Sequence, residues 1–314
     1  MDEATPTLSA PRGEEAPAAA PAAAVQRGTG LLNAMTVDVE DYFQVQAFAD
    51  VIARDAWETL PRRVERNTDR LLDIFAAAGV KATFFTLGWV AERHPRLVRR
   101  IVAEGHELAS HGYAHQRADG QTAAEFRADV VRTKAILEDQ GGTAVQGYRA
   151  PTFSIGPRNR WAFEVLAEAG YRYSSSVNPI AHDLYGVPNG PRAPFREERS
   201  GLLEIPLTTL RLFGRNFPCA GGGYFRLLPY AISWRAMQHV NRADGLPCAF
   251  YLHPWEIDPD QPRQNNASWK SRFRHYVNLA RTEARLQRLL TDLSWGRMDA
   301  AFASALATAP RAAI

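Results

Sequence analysis

Between residues 34 and 173 the chain alternates strand-like and helix-like segments, and glycine closes almost every helix-like one. Residues 34–39 read as a buried strand ending in acids. Residues 66–78 carry Leu71, Leu72, Ile74 and Phe75 at helical spacing and stop at Gly79. Residues 81–87 are β-branched and aromatic. Residues 95–104 start on a proline and end before Gly105. Residues 107–110 form a short strand. Residues 123–140 form an amphipathic helix stopped by Gly141 and Gly142. Residues 147–150 read as a strand end, and 160–169 as a helix closed by Gly170, followed by a short strand over 171–173. A parallel pair needs a long crossover, usually a helix, and each helix-like segment here supplies one. The pattern therefore predicts an α/β fold with a parallel sheet.

After that the rhythm fails. Residues 176–224 are rich in proline and glycine, with one clear strand over 202–207 and a flexible loop expected at 218–223. A strand returns at 248–253. Residues 269–293 read as one basic amphipathic helical stretch with Tyr276, Leu279, Leu286, Leu289 and Leu290 on its apolar side. Its charges over 272–288 read as a solvated face. Residues 1–30, rich in alanine and proline, read as a disordered tail, residues 31–300 as one domain with a distinct part from about 180, and 301–314 as a C-terminal tail.

The 37 basic and 34 acidic residues leave a formal charge of +3, with no basic stripe to suggest nucleic acid. No run reaches the roughly 18 apolar residues that cross a bilayer. Residues 1–30 hold acids and no continuous apolar core, unlike a signal peptide. The two cysteines, Cys219 and Cys248, read as small buried thiols suited to a reducing compartment. The expectation is residence in the cytoplasm, or at the inner face of the membrane.

Four polar clusters fall at strand ends: Asp38-Val39-Glu40-Asp41, His111 with His115, Arg149, and His253. Chemistry in parallel α/β barrels gathers at the carboxyl ends of strands, so one common site is expected. Two histidines four apart on a helical turn share a face and can grip one ion. With a carboxylate segment, a guanidinium and a separate histidine, they make the parts of a metal-assisted hydrolase. His94, His106, His182, His239 and His275 read instead as surface or capping residues.

These residues give the chain a family likeness. Thr36-Val37-Asp38, His111-x-x-x-His115, Arg149-Ala150-Pro151 and Leu252-His253-Pro254 resemble, in order, the first, second, third and last motifs of the NodB-homology polysaccharide deacetylases, carbohydrate esterase family 4. The resemblance covers about residues 34–300. Asp38–Phe43, Gly221–Arg226 and His253-Pro254-Trp255-Glu256 look more narrowly like the deacetylases of exosortase (PEP-CTERM) exopolysaccharide loci. The resemblance implies a distorted (β/α)7 barrel that hydrolyses an N-acetyl group of an amino sugar.

Two departures stand out. The family's first motif usually has adjacent aspartates, base then metal ligand, but Val39 holds the second place. Some branches set the metal carboxylate two residues on, here Glu40. Asp41 is open to the same role if the strand bends, while Glu40 shares the Asp38 side of an extended strand. The fourth motif usually carries an acid that tunes the catalytic histidine. Tyr173-Ser174-Ser175-Ser176 has none, which leaves His253 without an assigned partner.

The resemblance implies these roles. His111 and His115 with Glu40 or Asp41 would bind a divalent metal, by default Zn²⁺, with Co²⁺, Mn²⁺ or Ni²⁺ also fitting. Asp38 would be the general base, Arg149 its bidentate partner, and His253 the acid that protonates the leaving amine. The backbone N–H of Thr152 would stabilise the oxyanion. Trp255 reads as a sugar-stacking platform or a packed core residue, and Tyr224 with Phe225 as a lid over a glycan. The substrate expected is an acetylated glycan or a lipid-linked saccharide. Two other readings stand beside this one: a non-sugar amidohydrolase on the same scaffold, and a catalytically silent glycan-binding protein.

Overall fold

The computed structural model describes Met1 and residues 30–314, so the tail expected over 1–30 lies outside the described residues apart from its two ends. The first half follows the alternation closely: β1 (Asn33–Val39), α1 (Val64–Ala78), β2 (Thr83–Thr86), α2 (Gly88–Arg93), α3 (Pro95–Ala103), β3 (Glu107–Ser110), α4 (Ala123–Gly141), β4 (Gly147–Tyr148), α5 (Trp161–Glu168) and β5 (Tyr173–Ser174). The second half adds β6 (Phe195–Glu197), β7 (Leu203–Glu204), β8 (Thr209–Leu212), β9 (Arg215–Pro218), α6 (Gly222–Leu227), α7 (Tyr230–Ala243) and β10 (Ala249–Leu252). It ends with α8 (Trp269–Tyr276), α9 (Leu279–Asp292), β11 (Trp295–Gly296), α10 (Met298–Ala301), α11 (Ala303–Thr308) and β12 (Arg311–Ala312).

The main sheet runs β10-β1-β2-β3-β4-β5-β7-β6-β12, with β11 also on β1. Only β6 and β7 pair antiparallel in it; β8 and β9 form a separate hairpin. The sheet curls. Ala34, Phe85, Ala109, Tyr173, Leu203 and Ala249, from strands between β10 and β7 along this path, share one buried cluster closed by Met298 and Phe302. Strand side chains alternate, so Thr36 and Asp38 follow Ala34 on this inner face, while Met35, Val37 and Val39 pack outward with α1 and α9.

Closure is irregular. Beyond β7, Thr208 Oγ1 accepts the Ala249 N–H at 2.7 Å, and the Tyr251 N–H reaches the Ala220 carbonyl at 3.3 Å. An isolated parallel bridge joins Gly221 to Tyr251. The fold is thus the mixed, mostly parallel α/β barrel-like domain expected, with its seam stitched by single bonds.

Three expectations change. Residues 218–223 are not a flexible loop: Gly221 and Gly222, both at positive φ, press against the Tyr251 backbone and ring so closely that any side chain there would collide. The 269–293 stretch is two helices, broken at Asn278, which adopts a left-handed conformation (φ 54°). Residues 301–314 are not a tail, since β12 pairs in parallel with β6. Cys219 and Cys248 are buried and unbridged. Among the described residues, no helix is long and apolar enough to cross a membrane.

Candidate active site

β1 ends by presenting Asp38 inward, and β4 delivers Arg149 to meet it. The Arg149 side chain is wholly buried, and its Nη1 donates to Asp38 Oδ1 at 2.6 Å and to Thr36 Oγ1 at 2.7 Å. Its Nε and Nη2 donate to the carbonyl and hydroxyl of Ser175, each at 3.2 Å. The pair is therefore one-pointed, not the bidentate fork expected. The other donors are used on the strand-end serine, and the guanidinium lies 4.1 Å from the centre of the Phe85 ring. Such a buried pair holds direction more than it adds stability.

His111 and His115 follow β3, but on a loop rather than a helical turn. Gly112 (φ 74°) and His115 (φ 50°) reverse the chain, and the Gly88 and Trp89 N–H groups bond the Gly112 and Tyr113 carbonyls. The two rings come to 5.4 Å between centroids. His111 Nδ1 lies 2.9 Å from the Arg149 carbonyl, which only accepts, so Nδ1 carries the proton and Nε2 keeps its lone pair. His115 Nε2 sits 2.8 Å from Glu40 Oε2.

Glu40, His111 and His115 are all buried, and their donor atoms lie within 4.8 Å of one another. Glu40 Oε2 makes no well-formed hydrogen bond. Burial drives the His111 imidazole well below its usual range, which favours the neutral, ligating form. Burial pushes Glu40 up, yet His115, His253 and His111 outweigh it and leave the carboxyl below its ordinary value. One carboxylate and two imidazoles facing a common point suit a divalent ion with positions left open.

Asp41 is elsewhere occupied. Its Oδ2 accepts the Arg63 and Val64 N–H groups at 2.6 and 2.9 Å, and Oδ1 that of Tyr42 at 2.8 Å. It caps the start of α1, and it is Glu40, not Asp41, whose oxygen falls within reach of both histidines, which removes Asp41 as the metal carboxylate. Burial raises its pKa to about 6 against those three bonds.

His253, just past β10, points its Nε2 at the same centre, 3.9 Å from Asp38 Oδ2 and 3.6 Å from Glu40 Oε1. Its Nδ1 meets Glu256 Oε1 at 2.7 Å, and its backbone N–H donates to that oxygen at 3.0 Å. The other Glu256 oxygen takes Arg226 Nε at 2.6 Å. Burial would lower the His253 pKa, but the Glu256 bond and the charges of Glu40, Glu256 and Asp38 lift it to about 9. Glu256 thus favours the protonated ring. Glu256 and Arg226 are the functional residues that sequence reasoning missed. The signal was an acid three residues after a strand-end histidine, a spacing that closes within one turn.

Trp255 has no face free for a sugar. It is 5% exposed, stacked between His253 (5.0 Å) and His275 (4.1 Å), with Nε1 donating to Glu40 Oε1 at 3.3 Å. His275, expected at the surface, is buried in this column. His106 is buried too, accepting the Ala82 N–H at 3.0 Å. Thr152 and Phe153 both take left-handed conformations (φ 58° and 48°), turning the chain so that Phe153 packs 5.0 Å from Tyr251. Tyr224 lies apart from the metal-type cluster, in the wall of a groove beyond Trp255, while Phe225 is buried against Phe250 and forms no lid.

Comparison with known proteins agrees with this geometry. Residues 55–174 match the polysaccharide deacetylase family model, and residues 175–303 match a domain of unknown function, DUF3473. A peptidoglycan-N-acetylglucosamine deacetylase of Bacillus cereus is 37% identical over 98 residues, 31% of this chain and 36% of that protein. A chitooligosaccharide deacetylase of Bradyrhizobium is 32% identical over 100 residues, 32% of this chain and 43% of that protein. The chain thus spans less than half the length of these curated relatives. A solved Mycobacterium smegmatis structure, assigned provisionally to the polysaccharide deacetylases, shares the fold at TM-score 0.58 and 24% identity, covering 96% of this chain and 99% of that one. Residues 55–174 of the chain are thus similar to polysaccharide deacetylases, and the fold is shared with the solved structure.

Proposed function

We propose that this chain, built on a polysaccharide deacetylase domain, is a metal-dependent hydrolase. It would remove N-acetyl groups from N-acetylhexosamine units of an exopolysaccharide or its lipid-linked precursor, the latter met at the inner face of the membrane. The observation that carries the reading is the convergence of Asp38, His253 and the Glu40–His111–His115 cluster on one point at the strand ends. The narrower likeness to exosortase-locus deacetylases supports the exopolysaccharide assignment.

A divalent ion held by Glu40, His111 and His115, zinc by donor type, supplies Lewis acidity and an acidified water when bound. Asp38, fixed by Arg149, takes the proton of the water that attacks the acetyl carbonyl carbon. The turn at Thr152 offers its backbone N–H to the developing oxyanion. His253, held protonated by Glu256, gives its proton to the sugar nitrogen as the C–N bond breaks. Acetate and a free amine leave.

The test is hydrolysis of N-acetylglucosamine oligomers by the zinc-loaded protein, with acetate and free amine measured together, beside a panel of cyclic ureides. Equal release of acetate and amine supports the reading. Turnover of the ureides alone overturns it in favour of a non-sugar amidohydrolase, and oligomer binding with no acetate in favour of a silent glycan-binding protein.

A further inference from the structure

We propose that Glu204 is a positioning residue: from the far side of one peptide plane it aims Arg149, and through Arg149 the base Asp38. The inference rests on the deacetylase reading above for the reaction that Asp38 serves. It adds a residue that neither the motifs nor the site geometry singled out.

Glu204 is the one acid in the otherwise apolar run Leu202-Leu203-Glu204-Ile205. In β7 its neighbour Leu203 joins the inner apolar cluster, so Glu204 alternates to the outer face, opposite Ser174 of β5. It is wholly buried there. Its Oε1 accepts the N–H groups of Ser176 and Val177, each at 2.7 Å. Those two donors lie just past the end of β5, and the carboxylate supplies the acceptor that the sheet ladder does not.

The Ser176 N–H and the Ser175 carbonyl belong to the same peptide unit. That unit is planar and trans, so the two groups point in opposite directions. Glu204 holds one edge of the plane, and Arg149 Nε donates to the carbonyl on the other edge at 3.2 Å. Arg149 Nη2 donates to the hydroxyl of the same Ser175 at 3.2 Å. The donors of a guanidinium are fixed in one plane, so two bonds to Ser175 set where Nη1 points. Nη1 points at Asp38 Oδ1, 2.6 Å away. A shift of the Ser175–Ser176 peptide would therefore tilt the guanidinium and take Asp38 with it.

Burial raises the Glu204 pKa to about 7, against its bonds to Ser174, Val177 and Ser176 and the charge of Arg149. Full charge is thus disfavoured, and a neutral carboxamide oxygen at the Oε1 place could hold the same two N–H groups. Arg149 lies in the segment that matches the polysaccharide deacetylases, whereas Ser175, Ser176 and Glu204 lie in the 175–303 segment. The proposal gives that domain of unknown function a share in the base as well as in the acid.

The experiment compares zinc-loaded wild type with Glu204→Gln, Glu204→Asp and Glu204→Ala by two readouts. The first is the ¹⁵N NMR resonance of the Arg149 Nε–H, identified by its loss in Arg149→Lys. It should stay in place in Glu204→Gln and shift, or exchange faster with solvent, in Glu204→Asp and Glu204→Ala. The second is acetate release from N-acetylglucosamine oligomers. In Glu204→Asp, kcat should fall by up to about 10²-fold with KM and bound zinc unchanged, and Glu204→Gln should restore most of it. In an Asp38→Asn background Glu204→Asp should change the residual rate by less than about twofold, because no base is left to aim.

An Nε–H resonance that stays put in every folded variant overturns the proposal. So does a Glu204→Gln protein as slow as Glu204→Asp, or an equal loss with and without Asp38. If Glu204→Ala does not fold, Glu204→Asp carries the test. The two readings fail separately. A wild type that releases no acetate, with a resonance that still answers to Glu204, removes the deacetylase and keeps the hold on Arg149. Acetate released at wild-type kcat by every folded variant removes the positioning role and keeps the deacetylase.

Discussion

Asp38 and His253 stand at the ends of adjacent parallel strands, yet they are held by opposite means. Asp38 is fixed from far away, by a guanidinium 111 residues along the chain. His253 is fixed by Glu256, three residues on, and only then braced from a distance by Arg226. A long-range partner has to be a separate motif at another strand end. A local partner can ride on the same turn as the residue it serves. This explains why the serine run Ser174–Ser176 carries no acid. Ser175 bonds Arg149 through its carbonyl and hydroxyl, and Ser176 Oγ accepts the Ala150 N–H at 2.9 Å. The segment braces the Asp38 side of the site, and the His253 side supplies its own carboxylate.

The contrast can be broken by substitution. The largest effect belongs to Arg149→Ala, which leaves Asp38 buried without its cation. Stability should fall by about 3–5 kcal/mol in denaturant titration, with activity lost. A change under about 1 kcal/mol would mean the pair does not hold the base. Next, His253→Ala should keep fold and metal but lower kcat by about 10²–10⁴-fold in an acetate assay. Unchanged turnover would remove the acid role.

Glu256→Gln probes the local partner. In the proposed acid role His253 works protonated, and Glu256 is among the groups that raise its pKa, so wild-type kcat/KM should fall at alkaline pH as that proton is lost. Without the Glu256 charge the same fall should move to lower pH, at unchanged metal content. An alkaline limb that stays in place would show that Glu256 does not set the acid. The smallest effect is that of Asp41→Ala, which removes a cap from α1. It should cost about 1–2 kcal/mol in thermal unfolding and leave metal content intact.

Much of this was legible in the sequence because strand ends punctuate it. Asp38, His111, Arg149 and His253 each follow a recognisable strand, so the alternation alone brings them to one rim. The structure brings His111 and His115 together, but on a loop rather than on the helical turn expected. Spacing of four suggests a helix, but a chain leaving a parallel strand must turn, and Gly112 and His115 do so through positive φ. Glu40 and Asp41 could not be separated by spacing, because the choice depends on the distant start of α1, which claims Asp41. The segment from Ser176 to Tyr224 resisted reading for a similar reason. Its strands are short, and tertiary pairing and the Gly221–Tyr251 contact set them rather than local periodicity.

The most direct test of the account is elemental analysis of the purified protein beside its Glu40→Gln and Asp41→Ala variants. The account predicts about one divalent ion per chain in the wild type and in Asp41→Ala, and its loss in Glu40→Gln with the fold retained. Metal that survives Glu40→Gln but leaves with Asp41→Ala, or a wild type that takes up none on reloading, would contradict the site described.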